Sequence, residues 1–77
     1  MKLQHLIDDF KRSRGVGRYV QMQRIREYVN NTDVFIVLEE IKRMDETKDL
    51  DILLGVGMRG VLWKAVVGRQ AYIEGVS

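Results

Sequence analysis

The sequence predicts an all-α fold, a small bundle of four to five short helices. Three observations carry that expectation. Apolar residues recur at helical spacing in most segments, polar or glycine-containing clusters separate the segments, and there is no proline in the chain. With 77 residues the chain is one domain.

The first helix is expected over Leu3–Arg12. Leu3, Leu6, Ile7 and Phe10 follow an i, i+3, i+4, i+7 spacing that defines one face. Gly15 and Gly17 interrupt the pattern. It resumes from Tyr19 to Val29 through Met22, Ile25 and Val29. Asn30-Asn31-Thr32-Asp33 is a turn, and Thr32 or Asp33 suits the N-cap of the next helix. The strongest helical pattern runs from Val34 to Met44. Val34, Val37, Leu38, Ile41 and Met44 form its core stripe, and Glu39, Glu40, Lys42 and Arg43 are expected to face water. Phe35 and Ile36 make the apolar face wider than one stripe needs.

Asp45–Asp51 reads as an acidic connector. Leu50–Leu54 is an apolar run short enough to be either a turn or two of helix or a buried strand. Val61–Val76 fits two patterns. As a helix it aligns Val61, Leu62, Ala65, Val66, Tyr72, Ile73 and Val76, with Arg69 out of place. As a β-hairpin it turns at Gly68-Arg69-Gln70, which the β-branched residues favour. The helical stripe is the cleaner pattern and is the first expectation. The hairpin would give an α+β arrangement like a winged helix, preceded by a helix-turn-helix rhythm over Ile25–Met44. Its recognition helix would begin Val34-Phe35-Ile36-Val37, with no polar side chain to read bases.

A faint internal repeat is also present. Ile7-Asp8-Asp9-Phe10-Lys11-Arg12 parallels Leu38-Glu39-Glu40-Ile41-Lys42-Arg43, and Arg14-Gly15-Val16 parallels Arg59-Gly60-Val61. In each copy a further arginine follows ten residues on, at Arg24 and Arg69. This pattern would make two stacked helical hairpins of the helical-repeat type, the second with a longer connector.

Composition narrows the function classes. Cysteine is absent, so disulfides and thiolate metal sites are excluded. No apolar run has membrane-spanning length, and Met1–Arg12 lacks the apolar core of a signal peptide, so a cytoplasmic location is expected. Net charge is +2 overall, but residues 1–30 carry seven basic against three acidic side chains, while residues 31–77 carry six against eight. The first part therefore favours an anionic partner.

No constellation supports catalysis. His5 lies near Asp8 and Asp9, but no nucleophile pairs with it. Asp45, Glu46, Asp49 and Asp51 lack the spacing of a calcium loop and read as helix capping and solvation. Gly55-Val56-Gly57-Met58-Arg59-Gly60 matches G-x-G-x-x-G literally. The chain after it is too short for further parallel strands, so the glycines read as a turn and no cofactor is expected.

The expectation is thus a small non-enzymatic binding module. Its first form is a regulatory nucleic-acid binder for DNA or RNA. Lys11, Arg12, Arg14, Arg18, Arg24 and Arg26 would contact phosphates, and Tyr19 would stack on a base. Its alternative is a protein-interaction domain, an adaptor or homodimer, using Phe35, Ile36, Trp63 and Val67 as an exposed apolar patch.

Overall fold

The computed structural model describes the backbone of residues 2–76 and the side chains of residues 2–75. Five helices follow one another: α1 (Lys2–Arg12), α2 (Val16–Asn31), α3 (Val34–Lys42), α4 (Thr47–Leu54) and α5 (Gly60–Val76). There is no strand among the described residues, so the all-α bundle is the fold.

α1 buries Leu3, Ile7 and Phe10, the stripe its spacing implies. Gly15 then takes a φ of 58°, a left-handed conformation that costs a side chain most and glycine least. The chain reverses there and α2 returns antiparallel to α1. This places the Lys2 ammonium 5.7 Å from the Tyr28 ring and the Arg18 guanidinium 4.3 Å from the Phe10 ring. α2 starts at Val16, a turn earlier than Tyr19, and buries Ile25 and Val29. Asp33 caps α3, its carboxylate accepting the Phe35 backbone N–H at 2.8 Å. α3 ends at Lys42, yet Met44 beyond it is buried, so the apolar stripe outlasts the helix.

The expected acidic connector is shorter than Asp45–Asp51, because α4 begins at Thr47. The Leu50–Leu54 run is the second half of that helix, with Leu50 and Leu53 buried. The hairpin alternative for Val61–Val76 does not occur, since Gly60–Val76 is one α-helix. Burying Leu62 and Val66, with Ile73 half-buried below them, outweighs the strand preference of its β-branched residues. Gly68 is exposed and stays helical, so no turn forms there. Val76 belonged to the expected stripe, and its side chain lies outside the described residues.

Arg69 is in line with that buried stripe. Its Nε donates to the Met44 carbonyl at 3.0 Å and its Nη2 lies 3.5 Å from Asp45 Oδ1. Arg59 has the same kind of role at the other end. One guanidinium nitrogen donates to the Val29 and Thr32 carbonyls, each at 2.9 Å, satisfying acceptors at the end of α2. The two arginines set the direction of α5: its start lies by the α2–α3 turn and its middle by the end of α3. α5 therefore runs alongside α3 in the same sense. Gln70 reaches Thr47 and Asp51 of α4, so α4 and α5 form the second antiparallel pair. The second hairpin that the internal repeat implies, Val34–Met44 with Val61–Val76, therefore does not form: the antiparallel pairs are α1–α2 and α4–α5, with α3 as the link.

Two acidic residues expected at the surface are buried. Glu40 is buried where α1, α2 and α3 meet. It accepts the Leu3 backbone N–H at 2.9 Å and the Tyr28 hydroxyl. Asp49 is buried between α4 and α1. It accepts from Gln4 Nε2 at 2.8 Å and pairs with the Lys11 ammonium at 2.5 Å. Each carboxylate is buried because a partner on another helix compensates it. Periodicity within a single helix cannot reveal such a partner.

Candidate interaction surfaces

The basic stretch does not form one surface. Lys11 is committed to Asp49, and that hydrogen bond holds its ammonium above the ordinary lysine pKa. Arg12 pairs with Asp9 at 2.6 Å one turn away. Arg18 lies over Phe10. Arg14, Arg24 and Arg26 are exposed. Arg24 and Arg26 are two positions apart on α2, so they point about 200° apart around it. Arg24 lines a cleft between α1 and α2, while the Arg26 guanidinium lies beside Gly57 in the α4–α5 loop. The cleft has a volume of about 410 Å³ and is lined by Lys2, Leu6, Arg24, Glu27, Tyr28 and Asn31. Its charge is mixed. Tyr28 at its base has its phenol pushed up to about 12 by burial and by the hydrogen bond to Glu40.

Tyr19 is exposed on the outer face of α2, where it shares a stripe with Val16 and Val20 at i, i+3, i+4 spacing. Sequence reasoning treated Tyr19 as a lone aromatic among cations. The flanking valines were the signal that it belongs to an apolar strip.

The Gly55–Gly60 segment is the α4–α5 turn and docks on α2. The Gly57 carbonyl accepts from Asn30 Nδ2 at 2.7 Å, and a Cβ on Gly57 would meet the Arg26 Nε at 3.3 Å. Of the acidic cluster, Asp49 is buried, and Asp51 and Asp45 hold Gln70 and Arg69 of α5. His5 is exposed on α1, while the neighbouring Asp8 and Asp9 accept from Gln4 and Arg12.

The four apolar candidates are all at the surface. Phe35 is 73% exposed, Ile36 54%, Trp63 48% and Val67 38%. Val61 and Tyr72, which the sequence pattern aligns with the buried Leu62 and Val66, are exposed as well, because they stand well to one side of that stripe. Helix geometry divides these residues. Trp63 and Val67 stand seven and three positions before Gln70, so they lie on the flank of α5 beside α4. Val61 and Tyr72 lie on the opposite flank with Ala65 and Arg69, whose guanidinium is 5.3 Å from the Tyr72 ring. Phe35 is about 140° around α3 from Glu40, on the side away from α1 and α2.

α5 therefore carries large apolar residues on its inner face and on both flanks. Leu62 and Val66 point inward, and Trp63, Val67, Val61 and Tyr72 flank an outward face formed by Gly60, Lys64, Gly68, Ala71 and Gly75. Three of its 17 residues are charged: Lys64, Arg69 and Glu74. So wide an apolar arc exceeds what one buried stripe needs. Among the described residues the principal contacts of α5 are with α3 and α4.

No protein-family model matches the chain, and no curated protein or solved structure is significantly similar to it.

Proposed function

We propose that this protein is a protein-interaction module whose contact surface is the outward side of α5 together with Phe35 of α3. One observation carries this reading. Besides its buried stripe, α5 leaves Trp63, Val67, Val61 and Tyr72 in solvent on its two flanks. Exposed apolar area of this kind, concentrated on one element, marks a contact site. Trp63 and Tyr72 belong to the residue types that anchor interfaces. The rest of the surface supports the same choice. A phosphate-binding surface needs cations gathered on one side, and here Lys11 and Arg12 are paired with carboxylates while Arg24 and Arg26 diverge.

The test sets the two surfaces against each other. One variant carries Trp63→Lys and Val67→Lys, and another carries Arg14→Glu and Arg24→Glu. Both should keep the helical circular dichroism of the parent. Chemical cross-linking at near-cellular concentration should give adducts that the α5 variant loses and the arginine variant keeps. Unchanged adducts in the α5 variant, with salt-sensitive nucleic-acid binding lost only in the arginine variant, would restore the nucleic-acid reading.

A further inference from the structure

We infer that the start of α2 is a further contact site, which docks on an anionic lipid surface. No residue of α5 takes part, so the inference stands apart from the reading above.

The argument begins with exposure. Residues 14–20 are all exposed, although those from Val16 onward belong to a helix of 16 residues. Val16 is 81% exposed, more than any other large apolar side chain described, and Tyr19 and Val20 are exposed with it. With successive helix positions about 100° apart, these three fall within one arc of about 100°. Ile25, which α2 buries, points about 180° away from Val16. The strip is therefore no part of the core.

Charge selects the occupant. From Phe10 to Arg26 there are six cations and no Asp or Glu. Lys11 and Arg12 are committed to Asp49 and Asp9. Arg14, Arg18, Arg24 and Arg26 form no ion pair among the described residues. Arg14 precedes the strip. Arg24 is one turn beyond Val20 and Arg26 two turns beyond Tyr19, about 40° and about 20° from them around the helix. Cations thus border the strip at its start and on both sides. Glu27, the first acid, lies two turns beyond Val20.

One kind of partner uses all of this. A second copy would set arginines against arginines. A nucleic acid would leave Val16 and Val20 without a role, and it would meet Arg24 and Arg26 pointing apart. A bilayer rich in anionic lipid takes the valines and the tyrosine ring into its headgroup region, where tyrosine is favoured. The arginines at the borders then reach lipid phosphates on either side with their long stems. Among the described residues no helix is long and apolar enough to cross a membrane, so the contact is at the surface. With so few apolar side chains it is weak and reversible, and each arginine near the surface strengthens it about fivefold.

Co-sedimentation of the full chain with phosphatidylcholine vesicles, with and without about 30% phosphatidylserine, tests this. Binding should be about tenfold or more stronger with phosphatidylserine and should fall as salt rises. Arg14→Glu with Arg24→Glu should weaken it about tenfold or more. Val16→Ser with Tyr19→Ser should weaken it about fivefold, and Trp63→Ser should leave it unchanged. All these residues are exposed, and circular dichroism checks the fold of each variant. Hydrogen exchange in residues 14–20 should slow when the vesicles are added. Absence of binding to the phosphatidylserine vesicles at about 1 mM lipid overturns the inference. So does binding that the Val16 and Tyr19 changes leave intact, or that Trp63→Ser abolishes. Salt-sensitive binding to a duplex oligonucleotide without vesicle binding would overturn it too, and would return the arginines to a nucleic-acid role.

Discussion

α1 and α5 are the first and last helices of one small bundle, and they treat solvent in opposite ways. α1 buries Leu3, Ile7 and Phe10 and turns Lys2, His5 and Arg12 outward. Its inner side is further tied by polar bonds to other helices, through the Leu3 N–H to Glu40 and through Gln4 and Lys11 to Asp49. α5 also buries one stripe, but it turns valine, tryptophan, tyrosine and glycine outward. The difference separates two demands on a sequence. α1 has the pattern of a helix whose only task is to complete a fold. The inner stripe of α5 does the same work, and its outer side is surplus to folding.

The largest effect should come from the buried stripe of α5 itself. Leu62 is fully buried, and Leu62→Ala removes its packing and leaves a void. Stability should fall by about 3 kcal/mol, measured by urea unfolding. For a domain of this size that is a large share of the total. A loss below about 1 kcal/mol would mean that α5 docks more loosely than its contacts with α3 and α4 imply.

The α1 side is broken through Glu40. Glu40→Ala leaves the Leu3 N–H and the Tyr28 hydroxyl without their acceptor, at a cost of about 2–3 kcal/mol. The loss should appear first as weakened hydrogen-exchange protection in the first turn of α1. Glu40→Gln keeps one acceptor oxygen and should retain part of the stability. If the alanine and glutamine variants are equally stable, the carboxylate is not what ties the three helices together.

A milder lever on the same side is alkali. Tyr28 titrates near 12 in the fold against about 10 for a free phenol, and Lys11 is also raised. In both cases the folded state holds its proton more tightly than the unfolded state. Their contribution is therefore complete below about pH 10 and is lost as pH rises through the folded values. The urea midpoint should be flat from pH 8 to 9.5 and fall between about pH 10 and 12. Tyr28→Phe should make that fall shallower. An equally steep fall in the phenylalanine variant would assign it to other groups.

The same contrast explains what could be read from the sequence. The helices of the α1 kind were legible, since Leu3, Ile7, Phe10, Ile25, Val29, Val37 and Ile41 are buried as their spacing implies. α5 left helix and hairpin both open because apolar residues on several faces blur any period. Glu40 and Asp49 were placed in water because charge is a surface signal, and their partners are on other helices. Arg69 looked out of place for a related reason, as its acceptors are the Met44 carbonyl and Asp45. For the surfaces, exposure of Phe35, Ile36, Trp63 and Val67 was legible in an apolar face wider than the core needs. Their division between flanks was not, because it depends on how α3, α4 and α5 assemble. The basic stretch looked continuous along the chain, but a helix sends Arg24 and Arg26 apart.

The smallest stability change should come from the outer side of α5, and that smallness is itself informative. Trp63 is 48% exposed, against zero for its neighbour Leu62. If Trp63 served the fold, Trp63→Ser would cost several kcal/mol, as large core truncations do. If it serves a contact, the isolated domain at about 1 µM should lose less than about 1 kcal/mol, because only the half already packed is lost. Urea unfolding of the parent, Trp63→Ser and Leu62→Ala under the same conditions decides between the two. A Trp63→Ser loss as large as that of Leu62→Ala would assign the tryptophan to the fold, and a loss several times smaller assigns it to the surface.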